Sequence, residues 1–426
     1  MSNADPFIRL RRGRERSLLH GHPWLFSGAI EKVEGDPGPG DTVEVFDSSG
    51  VWLARGAYAP ASRIACRVWT CDQEEAVDEG LIRRRLEASL GRRLQLASEE
   101  QVSAYREVHA ESDLLPGVIV DRYGDHRVIQ LLAPGADRLR PTLLQWLAVR
   151  GDCRGILERS DGEARTLEGL EPRRGVVWGE APPLPTRIEE YGLGFWADLA
   201  EGHKTGFYLD QRENRRWVAR GLQAEEVLDA FCYTGGFTVA ALRSGTRHVL
   251  AIDSSRRCLE LAGENVRLNG FDPGACEFVE GDVFQELRRL RDQGRSFDAV
   301  VLDPPRFAPT ASQVHRAARG YKDINLLALK LLKPGGRLIT FSCSGGVGPE
   351  LFEQIVAGAA RDAGFHVVVE GWLGQPADHP VGMHFPEGRY LKGLICRKGE
   401  TPWYPSAPAV RGRGKGEAGS GAVESV

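Results

Sequence analysis

The chain of 426 residues balances 55 Lys and Arg against 59 Asp and Glu, a net charge of −4, and is 42 % hydrophobic and 27 % charged. This composition excludes a polycation that grips nucleic acid with its whole surface, leaves room for a local basic face, and supplies a core for two or three domains of roughly 150 residues each. No run of about 18 apolar residues is present, which argues against a membrane span, and no signal peptide is visible. Eight cysteines without a CxxC pair point to reduced thiols in a cytoplasm rather than to a disulfide framework or a metal site.

In chain order, the segment up to about Asp72 is rich in Gly and Pro, and 42–46, 51–54 and 63–69 read as short strands of a small β-barrel or sandwich. Arg9, Arg11, Arg12, Arg14 and Arg16 outnumber the acids around them, and the composition break near Asp72 suggests an independently folded unit. Ile82, Leu86, Leu90 and Leu94 then recur every fourth residue, with Arg83, Arg84, Arg85, Arg92 and Arg93 off that stripe. The pattern predicts an amphipathic helix with Asp78 as its N-cap and a second basic patch. Each patch reads either as a solvated face or as a contact for RNA. Strands are expected at 117–122, 127–132, 155–158 and 175–178, a helix at 138–149, a Pro-rich joint at 181–185, and a hairpin over 187–199.

Beyond about residue 225 short apolar runs at 227–231, 248–252, 276–279, 299–302 and 337–341 alternate with helical stretches, the pattern of a mostly parallel sheet covered on both faces. The fold class is therefore α/β. The last 25 residues lack periodicity and read as a disordered tail. In such a sheet, ligands sit beyond the carboxyl ends of the strands. The first strand ends in Asp229-Ala-Phe-Cys-Tyr-Thr-Gly-Gly-Phe237, whose two glycines admit a close backbone approach but lack the third glycine of a dinucleotide loop. Asp253, Asp282 and Asp303 close the next three strands. One such acid is as readily a helix N-cap. Four in succession suit a ligand with a ribose, an amino group and a positive sulfonium but no phosphate.

The order of these motifs resembles a class I S-adenosylmethionine-dependent methyltransferase. More narrowly, Lys204-Thr-Gly-Phe-Tyr-Leu-Asp-Gln-Arg-Glu-Asn-Arg215, the Tyr233-Thr-Gly-Gly-Phe237 loop, Asp303-Pro-Pro-Arg-Phe307, Phe341-Ser-Cys-Ser344, Ala377-Asp-His-Pro380 and Glu387-Gly-Arg-Tyr-Leu-Lys-Gly393 resemble the RlmI-type large-subunit (23S) rRNA cytosine-5 methyltransferases. Gly21-His-Pro-Trp-Leu-Phe-Ser27 and Tyr58-Ala-Pro-Ala-Ser-Arg-Ile64 are similar to that family's PUA domain. The resemblance covers roughly residues 7–398. It implies a PUA-like RNA-binding domain at 1–75, a central α+β domain at 76–185, a Rossmann-like methyltransferase domain at 186–400, and leaves 401–426 as tail. It implies S-adenosylmethionine held by Tyr208, Gln211, Arg212, Asp229, Phe231, Tyr233, Thr234, Gly235, Gly236, Asp253, Ser254, Asp282, Val283 and Asp303. The base would meet Pro304, Pro305, Arg306 and Phe307. The implied partner is large-subunit rRNA, with no membrane and no metal; a homodimer is left open.

An Asp-Pro-Pro-aromatic loop by itself resembles the grip on an exocyclic amino group. The C5 carbon of cytosine, in contrast, is a poor nucleophile until a thiolate adds at C6. Cys343 follows the fifth strand in the same layer as Asp303, and with the resemblance it becomes the nucleophile, Asp303 its catalytic companion. A free cysteine titrates near 8.5, so the site is expected to favour the anion. No second cysteine follows the proline of the Asp-Pro loop, where Pro305 and Arg306 stand, so the base for the C5 proton is open between Asp303 and water. Two other readings compete: a guanine exocyclic-amino (N2) methyltransferase without covalent catalysis, and a noncatalytic RNA-binding factor on a methyltransferase fold.

Overall fold

The computed structural model describes residues 5–99, 101–307 and 313–404; of the tail expected at 401–426, Thr401 and Pro402 instead complete the last strand, and the part beyond 404 lies outside the described residues. Strands β1 (Phe7–Leu10), β2 (Trp24–Phe26), β3 (Ile30–Glu34), β4 (Thr42–Phe46), β5 (Trp52–Tyr58) and β6 (Ile64–Thr70) form one sheet in the order β2-β6-β5-β4-β1-β3. Alternation decides its faces: Val43 and Val45 of β4 point inward with Ile8 and Leu10 of β1, while the residues between them reach the rim.

A second sheet comprises β7 (Ala104–His109), β8 (Val118–Tyr123), β9 (His126–Leu131), β10 (Gly155–Ser160) and β11 (Arg173–Gly179), in the order β11-β10-β9-β8-β7. The helix Glu79–Glu99 covers it with Ile82 and Leu86, and the Asp78 carboxylate accepts from the Leu81 N–H at 2.9 Å, the cap the sequence indicates. Most of the basic patch expected on this helix is tied to acids, with Arg83 left exposed and, among the described residues, without an ion pair. Arg84 and Arg85 pair with Glu75, and Arg92 and Arg93 pair with Asp113, Arg93 being only 1 % exposed. The helix expected over 138–149 is two, Pro134–Arg138 and Arg140–Ala148, the second restarting on Pro141, which has no N–H to extend the first.

The six-stranded sheet, which ends near the composition break at Asp72, has a core of its own and is also tied to the next sheet by buried side chains. Arg67 of β6 reaches Glu168 through two hydrogen bonds of 2.6 and 2.7 Å, Ser62 donates to the same carboxylate at 2.8 Å, and the Trp24 indole donates to Glu111 at 2.8 Å. Arg67, Glu111 and Glu168 are all buried, so the six-stranded sheet is wired to the five-stranded one.

The hairpin β12 (Thr186–Glu190) and β13 (Leu193–Ala197) turns at Tyr191 and Gly192, both at positive φ, and leads into the largest sheet. That sheet contains β14 (Glu226–Ala230), β15 (His248–Asp253), β16 (Cys276–Glu280), β17 (Phe297–Leu302), β18 (Leu332–Ser342), β19 (Phe365–Gly374) and β20 (Lys392–Pro402), ordered β16-β15-β14-β17-β18-β20-β19. The first five strands are parallel, and β20 runs antiparallel between β18 and β19. Successive residues serve opposite faces: Val227 packs with Val239 and Val266, Leu228 with Leu327 and Phe352. Chain order reverses at β14, so the crevice between the ends of β14 and β17 is where this architecture places a ligand.

Candidate active site

A cavity of about 460 Å³ opens at those strand ends, within the size range of small-molecule sites. Of the residues expected to hold cofactor or base, Tyr208, Gln211, Phe231, Tyr233, Thr234, Gly236, Asp253, Ser254, Asp282, Val283, Asp303, Pro304, Pro305, Arg306, Phe307 and Cys343 line it. Asp229, Gly235 and Arg212 do not. Asp229 lies beneath the loop, where Thr238 donates to one of its oxygens at 2.6 Å and the other has no partner; burial pushes its carboxyl up to about 7. Gly235 is at φ 75°, and a Cβ there would stand 2.8 Å from that of Ala262. Arg212 turns away entirely: its guanidinium is buried against Asp378, with bonds of 2.8 and 3.1 Å.

The loop after β14 carries Phe231 and Tyr233 at φ 64° and 50°, a conformation costly for residues with side chains. Asp253 holds it, one oxygen accepting from the Tyr233 N–H and the other from that of Ser255, both at 2.9 Å. Asp282 caps the helix Val283–Asp292 through the Gln285 N–H at 3.0 Å while facing the cavity. Phe231, Phe284 and Phe307 form an apolar wall, with Phe307 packed on Tyr321 at 4.7 Å between ring centres. Aromatic and aliphatic walls beside acids suit a flat heteroaromatic group joined to a cationic, hydroxylated one. Replacing Asp253 by alanine is expected to weaken S-adenosylmethionine binding by about 1–3 kcal/mol, the range for a charged hydrogen-bond partner; calorimetry on the folded variant checks it, and unchanged affinity would refute the assignment.

Asp303 accepts from the Gln211 side-chain amide at 2.9 Å, and burial, together with the nearby Asp210 charge, pushes its carboxyl up to about 7. The Cys343 sulfur lies 3.9 Å from the Pro304 carbonyl oxygen. Burial raises its thiol, outweighing Lys204 and Arg306, which act the other way. The expectation of a site that favours the anion is thus corrected: as it stands the pocket favours the thiol, because desolvation wins over two cations.

Three residues that sequence reasoning passed over converge here. Asp210 is buried and ion-paired with Lys204, and it accepts from the Tyr390 hydroxyl at 2.7 Å. The Lys204 ammonium lies 4.5 Å from the centre of the Tyr208 ring. All three stand inside the quoted motifs, but nothing local says that Tyr390 meets Asp210 across 180 positions.

Comparison with known proteins agrees with this geometry. The family model of the S-adenosylmethionine-dependent methyltransferase matches residues 163–385, and that of the PUA-like domain matches residues 8–70. The ribosomal RNA large subunit methyltransferase I of Klebsiella pneumoniae (strain 342) is 48 % identical over 393 residues, covering 92 % of this chain and 98 % of that protein. The protein of the same name from Tolumonas auensis is 50 % identical over 392 residues, with the same coverage. The fold matches that of a provisionally named SAM-dependent methyltransferase from Streptococcus mutans with a TM-score of 0.80 at 20 % identity, over 92 % of this chain and 99 % of that one. A second solved structure, a methyltransferase complexed with SAH, matches equally well. With its PUA-like segment, its methyltransferase cavity and relatives alike over nearly their whole length, the chain belongs to the S-adenosylmethionine-dependent ribosomal RNA large subunit methyltransferase I family.

Proposed function

We propose that this chain methylates C5 of a cytosine in large-subunit rRNA, with Cys343 adding covalently to C6. The observation that carries the reading is the placement of Cys343 against the Asp303-Pro-Pro loop in one cavity, the sulfur 3.9 Å from Pro304 and an acid poised near neutrality beside it. When bound, S-adenosylmethionine supplies an electrophilic methyl group. A base inside RNA structure must first be unpaired or flipped out to enter.

The resting proton sits on the Cys343 thiol, and Asp303 is the group able to take it. That transfer arms both residues at once: a thiolate facing C6 and a neutral acid facing N3. As the S–C6 bond forms, the C5=C6 electron pair becomes nucleophilic at C5, and the Asp303 proton on N3 offsets the charge that develops in the ring. After methyl transfer the C5 proton leaves to a base, Asp303 or water, its electron pair restores the C5=C6 double bond, the S–C6 bond breaks with its pair on sulfur, and the proton held at N3 returns to that thiolate. Gln211, bonded to Asp303, and Lys204, paired with Asp210, hold the carboxyls in place through this sequence.

The reading is tested by incubating unmodified 23S rRNA transcript with enzyme and cofactor and digesting it to nucleosides. The product expected by mass spectrometry is 5-methylcytidine. N2-methylguanosine instead would leave the fold assignment standing and transfer the chemistry to the amino-methylation reading; no product would favour a noncatalytic factor.

A further inference from the structure

The loop between β19 and β20 touches the PUA-like domain at one end and the cavity at the other. The His22 ring nitrogen Nε2 lies 3.1 Å from both carboxylate oxygens of Glu387, and Trp24 packs edge-on to Phe385 with ring centres 4.8 Å apart. Three residues later, Tyr390 lines the cavity. Even a fully extended chain spans at most about 11 Å over three residues, which is the rise of roughly three stacked nucleotides at about 3.4 Å each. The rim of the PUA-like domain therefore stands within a few nucleotides of the target base.

Two residues stand between these contacts, the buried Gly388 and then Arg389. Arg389 is exposed, and among the described residues it has no ion pair within the chain. Arg63, exposed beside β2 on the same domain rim, also has none. Met383 on the same loop is 98 % exposed and packs on nothing. A guanidinium left unpaired between an RNA-binding module and a base-accepting cavity is suited to a phosphate, which its planar donors match.

We infer that Arg389 binds the rRNA backbone immediately beside the target nucleotide, so that the PUA-like domain and the cavity hold one uninterrupted stretch of strand. The inference rests on the proposed action on rRNA, and its test separates the two. Filter binding of the full chain to unmodified 23S rRNA transcript is measured between 50 and 200 mM salt, with Arg389→Ala, Arg389→Glu and the remote surface variant Arg291→Glu. Arg389→Ala should bind at least threefold more weakly, with a log–log salt slope shallower by about 0.7, one contact on a single strand. Arg389→Glu should be weaker still. Arg291→Glu should match the wild type, and calorimetric S-adenosylmethionine affinity should be equal in all four proteins. If the wild type binds and Arg389→Ala binds as it does at every salt concentration, the path along this loop is wrong while the rRNA reading stands. If the wild type itself does not bind, both fall together.

Discussion

Cys343→Ala should lose methyl transfer to rRNA by at least about a thousandfold, because the other cysteine lining the cavity, Cys232, is buried in the loop after β14 with its thiol held well above the usual range, so it does not replace the nucleophile. The side chain is small and lies at a strand end against the β18 core, so the fold and S-adenosylmethionine affinity should stay within the wild-type range. The complementary experiment uses wild type and RNA containing 5-fluorocytidine. Fluorine at C5 cannot leave as a proton, so the adduct through Cys343 should survive denaturing electrophoresis and vanish in Cys343→Ala. The raised thiol adds a kinetic expectation: alkylation of Cys343 should be slow at neutral pH and accelerate as pH rises, the reverse of a pre-ionised nucleophile. A variant that methylates rRNA at a comparable rate would end the covalent mechanism.

The largest effect on stability is expected at Asp378. Its carboxylate accepts from both terminal nitrogens of Arg212 and from the Arg106 N–H at 2.9 Å, and its carbonyl accepts from Arg93 at 3.0 Å. These donors come from the methyltransferase helix Arg212–Gly221, from β7 and from the helix Glu79–Glu99, so one buried side chain ties two sheets together. Asp378→Ala leaves the buried Arg212 guanidinium without its hydrogen-bonded acid, with only the half-exposed Glu213 carboxylate 3.7 Å away, and the chain should lose about 3–5 kcal/mol. Urea unfolding followed by circular dichroism checks it; a loss below 1 kcal/mol would show that Arg212 finds another partner.

The methyltransferase sheet was legible because β14, β15, β17 and β18 are apolar on both faces, and an acid at the end of a run stands out against such a background. The same criterion hid β7. Its sequence, Ala-Tyr-Arg-Glu-Val-His, carries two adjacent charges at its centre, one on each face, yet all six residues are buried, because Arg106 pairs with Asp121 of β8 and Glu107 with Arg127 of β9. β19 and β20 were missed for a related reason: antiparallel and interrupted by Gly371, Arg397 and Lys398, they lack the continuous apolar run of their parallel neighbours. The free charge of the arginine patch on the helix Glu79–Glu99 was overcounted because it was read on one element while the partners of four of its arginines, Glu75 and Asp113, are supplied by others. Arg212 shows the same limit within a recognised motif. Motif membership identified a needed residue, but only packing shows that what it needs is Asp378.

The buried union of Arg67 with Glu168 has a consequence for how a site on the ribosome would be chosen. Two modules joined by a flexible tether can adapt to many spacings, whereas two joined by desolvated, bidentate charge pairs cannot slide past one another without stranding those charges. If the PUA-like rim holds RNA as proposed, the interval between that rim and the pocket mouth is a fixed gauge, cut into the protein. A strand whose anchored nucleotides and target base match the gauge would satisfy both ends at once. One whose spacing differs must bend to fit or forgo one contact, so discrimination between otherwise similar target bases would follow from geometry along the strand as well as from the bases themselves.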